Sequence, residues 1–269
     1  MGKNNKKIGS LVATGVAINY LNRYIENKKI INRETNEINI LLNSWASAKI
    51  IAYIYGKLLK NQGYTVNYIT DTKGFEESMR DKDFIGIHPE YGWYPNYNQN
   101  HKYVEIAEHY DNAFEGLFHI GKIDDLPENI KIIIPTWEYI NIEEEKQFLL
   151  NKNHKIEEVI LEDNDYNNKL NNMRNKKNLK ENELIWTWTG HIQDHKPSEG
   201  IKWSYMLKDN QTLLPIKIIC SKKFNTTYPG LVKLLKDNTF SQKDIAEFSY
   251  IFYTKNKLTA EIAENWIPN

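Results

Sequence analysis

Only one cysteine, Cys220, occurs in the 269 residues, which rules out an internal disulfide and any zinc site built from several thiolates. It closes the strand pattern Ile216 to Cys220 and reads as a small core residue. An excess of charge is missing too, because 35 Lys and Arg balance 35 Asp and Glu. Without a basic excess there is no long-range attraction for a polyanion, so a nucleic-acid partner is not expected. Beyond the first residues no stretch is apolar enough to span a bilayer. The sequence has no Gly-rich phosphate loop, no nucleophile elbow and no His-Glu-x-x-His. Glu143-Glu144-Glu145 is explained as a charge run at a helix start, and His191, Asp194 and His195 lie on a polar loop without another nearby ligand. These absences point to a binder that uses no cofactor and no metal, not to an enzyme.

The N-terminus carries a different pattern. Lys3, Lys6 and Lys7 precede Ile8 to Ala17, an uncharged apolar and small stretch, with Gly15-Val16-Ala17 resembling a cleavage site. That layout is a secretory signal too short to cross a membrane comfortably, and no cysteine follows it to carry a lipoprotein anchor. An amphipathic helix continuing through Tyr20, Tyr24 and Ile25 is the other reading of residues 1–35.

From residue 36 the chain alternates strand and helix patterns. Ile38 to Leu42 reads as a strand and Asn43-Ser44 as a cap. Ala48, Ile51, Ala52, Tyr55, Leu58 and Leu59 recur at helical spacing, Gly63 is a stop, and Tyr64 to Ile69 is a second strand. This β-α-β unit is expected to be right-handed and parallel. Further expectations are a helix near 74–80, a strand at 83–88 and a helix at about 100–110. Strands at 130–134, 156–161, 183–188 and 216–220 alternate with helices at 143–150 and 166–176. Helices near 228–236, 241–253 and 259–266 close the chain, with Ser241 as an N-cap. The rhythm predicts an α/β protein with sheets covered on both faces.

Three tryptophan turns stand at strand ends: Tyr91-Gly92-Trp93-Tyr94-Pro95-Asn96, Pro135-Thr136-Trp137-Glu138 and Trp186-Thr187-Trp188-Thr189-Gly190-His191. Converging indole faces suit a quaternary ammonium ion, which donates no hydrogen bond and is held by cation–π and dispersion contacts. Trp186 and Trp188 share a strand face, so both belong either to a core or to a cleft. Trp45 follows the first strand, where a substrate can sit at a helix start.

In order and spacing, these turns resemble the substrate-binding proteins of ABC transporters for glycine betaine, choline and related solutes. Trp93-Tyr94-Pro95-Asn96 is similar to that family's Trp-x-Pro-Asn strand end, Pro135-Thr136-Trp137 to its Pro-Gly-Trp turn, and Trp186 to His191 to its third element with Gly190 in place of proline. The tail, with Tyr228-Pro229, Ser241-x-x-Asp244 and Ile262-Ala263-x-x-Trp266-Ile267, extends the likeness over about residues 36 to 268. The resemblance implies a two-lobed periplasmic-binding-protein fold of type II. One lobe would comprise 36–117 plus 200–269 and the other 118–199, with the ligand cleft between them. It implies an extracytoplasmic receptor with a membrane permease as partner and a cage of Trp93, Trp137 and Trp188. His191, Tyr94, Trp45 and Glu138 would be additional ligand-binding residues. Glu138 follows the second tryptophan where small residues are common, and it suits an uncharged-tailed cation better than a betaine carboxylate. The alternative is a divergent scaffold or sensor with a degenerate cage and no transport role.

Overall fold

The computed structural model describes residues 36–92, 103–121, 123–136, 142–175, 182–199, 203–205 and 214–266. The chain opens with β1 (Glu37–Leu41), α1 (Ala46–Asn61) and β2 (Thr65–Ile69), followed by α2 (Thr72–Ser78) and β3 (Gly86–Tyr91). Of the residues expected on the inward face of α1, Ala48, Ile51, Ala52, Tyr55 and Leu59 are fully buried, whereas Leu58, one position off that stripe, is only partly buried. Gly63 ends that turn at φ +89°, a left-handed conformation that costs glycine nothing. β1 then pairs in parallel with β2, from Glu37 opposite Thr65 to Leu41 opposite Ile69, and with β3 on its other side. Asn43 and Ser44 are not the cap of α1. Trp45 holds the N-cap position without a side-chain cap bond, and Asn43 Oδ1 instead accepts from the Thr72 hydroxyl at 3.2 Å.

Two long strands cross the molecule next, β4 (Tyr103–Ala113) and β5 (Glu115–Ile120), before β6 (Asn129–Pro135), α3 (Glu143–Asn151), β7 (Lys155–Leu161), α4 (Asp163–Arg174), β8 (Glu183–Trp188) and β9 (Trp203–Tyr205). β10 (Leu214–Ser221) leads into α5 (Lys222–Thr227), α6 (Pro229–Lys236), α7 (Gln242–Lys255) and α8 (Thr259–Asn265). One sheet has the order β2-β1-β3-β10-β4 and the other β7-β6-β8-β5-β9. Within each sheet the first three strands are parallel and the last two antiparallel to their neighbours.

The helix expected at about 100–110 is the strand β4, and the reason is physical. Its buried residues Ile106, His109, Tyr110 and Ala113 fall at helical spacing. The period arises from bulges: along β10, steps of two, one and one residue are matched on β4 by steps of three, two and two. Each extra residue displaces the inward position by one, so a repeatedly interrupted period of two imitates a period of three and four. The strand expected at 83–88 is displaced to β3, 86–91, and β5 was not anticipated.

Along its central strands both faces of the second sheet are buried, while the edge strand β7 is largely exposed. On β6, Ile132 joins Leu117, Leu184 and Trp186 on one face, whereas Ile133 joins Phe118, Tyr166 and Ile185 on the other. The first sheet packs against α1, α6, α7 and α8 through residues including Ile50, Ile54, Leu235, Phe240, Ile245 and Cys220. Burial pushes the Cys220 thiol up to about 12, so it is an inert core residue at neutral pH. α7 belongs to both halves, because Ile245 and Phe248 enter the first core while Tyr250 and Tyr253 pack on the second. Its start is fastened by a reciprocal cap in which Ser241 Oγ accepts from the Asp244 N–H and Asp244 Oδ2 accepts from the Ser241 N–H.

Candidate functional site

Register alone shows where the sheets meet. Lys217 pairs with Tyr91 at the end of β3, and Leu214, three residues earlier on β10, pairs with Ala113 at the end of β4. The next strand begins at Glu115, opposite Trp188 at the end of β8. The carboxyl ends of the parallel strands in both sheets therefore face the crossover at Phe114, the arrangement in which open α/β sheets bind ligands. The crossover is pinned: Thr189 N–H donates to Phe114 O at 2.9 Å, and Phe114 N–H donates to Thr189 Oγ1 at 3.1 Å.

On the second sheet this edge carries Trp188 and His191. Trp188 is half-buried, and its ring lies 3.9 Å from the His191 ring, tilted by 31°. Trp186, only 4 % exposed, is a core residue that meets Trp188 edge-on at 5.9 Å. The Tyr166 hydroxyl ties α4 to the same strand by donating to Trp186 O at 2.6 Å. His191 is fully buried between the rings of Trp188, Tyr166 and Tyr253. Desolvation pushes its pKa down to about 3, so the imidazole is neutral. Its Nδ1 is 3.2 Å from Thr187 Oγ1, and that hydroxyl is 3.3 Å from Gln193 Oε1. The amide oxygen can only accept, so the Thr187 proton goes to Gln193 when both contacts are hydrogen bonds. His191 then donates from Nδ1 and leaves a lone pair on Nε2, an atom that is buried without a hydrogen-bond partner.

The turn behind these rings is anchored to α7. Ser249 Oγ donates to Gly190 O at 3.1 Å, Asp194 Oδ2 accepts from Gly190 N–H at 2.7 Å, and Gln242 Nε2 donates to the same carboxylate at 3.0 Å. Gly190 adopts φ +82°, and a Cβ there would stand 3.0 Å from Ile245 Cγ2. Gly190→Ala is expected to destabilise the protein by about 1–3 kcal/mol, read as a lower urea midpoint, because the left-handed backbone and the close helix penalise the same methyl. His195 stacks on Tyr250 at 4.3 Å, with the Arg174 guanidinium also 4.6 Å from that ring. Among the described residues no three His, Cys, Asp or Glu side chains converge as metal ligands.

On the first sheet, the half-buried Trp45 stands between β1 and α1 and donates its indole N–H to Glu90 Oε2 at 3.0 Å. Glu90, near the end of β3, is 1 % exposed and was not singled out from the sequence. The available signal was no more than an acid near the end of the strand, two residues before Gly92-Trp93. The structure thus joins Trp188 to His191 and places Trp45 at the edge of the other sheet. Trp93, Tyr94, Trp137 and Glu138 lie outside the described residues, although the strands leading to them, β3 and β6, end at the carboxyl edges of the two sheets.

The sequence matches no protein-family model and no curated protein. In structure the chain is similar to lactococcal OpuAC in its closed, liganded conformation with glycine betaine. That match has 15 % identity and TM-score 0.57, over 87 % of this chain and 95 % of that one. It is also similar to a glycine betaine/carnitine/choline ABC transporter structure, at 10 % identity and TM-score 0.61 over 84 % and 96 % of the chains. An ABC-transporter choline binding protein in complex with choline matches at 15 % identity and TM-score 0.54, over 85 % and 86 %. With two parallel-rich sheets flanked by helices, the chain has the α/β fold of these structures, the periplasmic-binding-protein fold of type II.

Proposed function

We propose that this chain is the extracytoplasmic solute-binding protein of an ABC importer and takes a small quaternary ammonium compound, such as choline or glycine betaine, between its two sheets. The observation that carries this reading is Trp188, half-exposed and packed on a neutral His191 at the edge where the sheets meet. An indole face attracts an onium by about 0.5–2 kcal/mol, the upper end applying once water is excluded. In this reading Trp45, Trp93, Trp137 and Trp188 supply the ring faces, with Tyr94 beside them. His191 meets the tail of the ligand, and Glu138 disfavours a tail that is itself anionic.

The lobes of the proposal are 36–117 plus 200–269 and 118–199. The change of sheet at Phe114 and the return between β9 and β10 support that division to within a few residues. Closure of the lobes buries the onium and presents the closed form to a membrane permease. Residues 1–35, outside the described part, would serve as the export signal. Among the described residues no helix is long and apolar enough to cross a membrane.

Isothermal titration with choline, glycine betaine and carnitine tests the reading. Saturable binding of at least one, with quenching of tryptophan fluorescence, is expected. Neither heat nor quenching with any of the three overturns it.

A further inference from the structure

Glu90 is a carboxylate almost wholly removed from water, a placement that costs free energy unless its oxygens are occupied. Ser47 Oγ lies 3.2 and 3.0 Å from its two oxygens, and the Trp45 indole N–H reaches Oε2 at 3.0 Å. Both partners come from the first turn of α1 and the residue that precedes it. The amino end of a helix is where a ligand carboxylate would ordinarily be received, through free N–H groups and the helix dipole. Here the protein's own carboxylate already lies against that turn, and a second anion would meet like charge at short range.

The same bond fixes the orientation of Trp45. Its N–H edge is tied to β3, which holds the ring in one position with a negative charge behind it. A neutral ring backed by an anion attracts a cation more strongly than the ring alone, and the effect grows as the site dries. Tyr110 reaches the opposite wall, since its hydroxyl is 3.5 Å from Thr189 O, next to Trp188. Burial first and the Glu90 charge second push that phenol well above its ordinary range, as expected if the carboxylate lies close to it. Across the crossover, His191 offers the Nε2 lone pair to a donor and is therefore matched to a hydroxyl.

We propose that Glu90 determines specificity: it positions the Trp45 ring and supplies the counter-charge that selects an onium with an uncharged, hydroxyl-bearing tail, of the choline kind, over a zwitterion. This inference rests on the quaternary ammonium reading of the cleft and names the ligand class within it.

The test titrates the full chain and its Glu90→Gln variant with choline, with glycine betaine and with the neutral isostere of choline in which carbon replaces nitrogen. The wild type is expected to bind choline at least about tenfold more tightly than betaine. Glu90→Gln keeps an acceptor for Trp45 and Ser47 while removing the charge. It is expected to lose about tenfold or more for choline and less than about threefold for the isostere, so that the ratio between them collapses. An unchanged ratio overturns the inference, because a merely structural Glu90 would weaken both ligands alike. Equal or tighter betaine binding by the wild type overturns it without recourse to any variant, even if Glu90→Gln does not fold. Binding of no onium by the wild type removes the quaternary ammonium reading itself, and this inference with it.

Discussion

Trp188→Ala is expected to reduce affinity for the onium ligand by at least about tenfold, because a desolvated ring contributes up to about 2 kcal/mol and its neighbour is disturbed as well. The indole lies 3.9 Å from His191 and forms part of the wall that keeps the imidazole dry. Removing it admits water to a ring whose pKa is held near 3 by burial, so His191 in the variant should titrate at a higher pH. Titration calorimetry reads the first effect, and the imidazole resonances followed by NMR against pH read the second. Trp188→Phe retains a ring and is expected to recover part of the affinity. A scaffold without a ligand would show the change in His191 and in thermal stability but no ligand heat in any form of the protein. Undiminished binding by Trp188→Ala would remove this ring from the site.

The second large effect concerns acid. His88, His109 and His191 are buried, and desolvation holds them near 3, about 4 and about 3 respectively. His109 is locked as a neutral tautomer by Pro89 O at 2.8 Å from Nε2 and by the Phe240 N–H at 3.0 Å from Nδ1. His88 has two ring nitrogens without hydrogen-bond partners and lies edge-on to Phe75 and Tyr91. Above about pH 6.5 these groups are neutral in both the folded and the unfolded chain and confer no pH dependence. Below it the unfolded chain takes up protons that the folded one refuses, so stability falls with pH until the folded values are reached, between about 4 and 3.

Each histidine contributes a slope of about 1.4 kcal/mol per pH unit once the unfolded form is protonated, and three together give about 4 kcal/mol per unit. Glu76, Glu115 and Asp194 oppose the fall at the acid end. Burial raises their pKa values, so the folded state keeps protons that the unfolded chain has released. Since domains of this kind carry about 5–15 kcal/mol of stability, unfolding is expected as the pH approaches about 5 to 4. Urea midpoints followed by circular dichroism at pH 7, 6 and 5 measure the decline. An unchanged midpoint between pH 7 and 5 would contradict the neutral burial of these rings. His88→Phe, which fits the aromatic surroundings of His88, should flatten the slope by about one third.

Much of this architecture is local and therefore legible along the chain. The apolar spacing of α1, the stop at Gly63 and the alternating residues of β2 determined the first β-α-β unit. The cap at Ser241 determined the start of α7, and the charge balance and single cysteine limited the partners. The ordered tryptophan turns pointed to a binding-protein fold, and Trp188 with His191 are indeed adjacent, because three residues across one turn cannot separate far. What only the tertiary structure decided involves partners distant in sequence. β4 is a strand because β10, more than a hundred residues later, supplies its hydrogen bonds, and its bulges disguise the period that would have revealed it. Glu90 is held by Trp45 and Ser47, 45 and 43 residues away, and a carboxylate gives no sign in sequence of what will pair with it. Periodicity and capping act within a turn or two of chain, whereas burial, pKa and the orientation of a ring are set by whatever folding brings alongside.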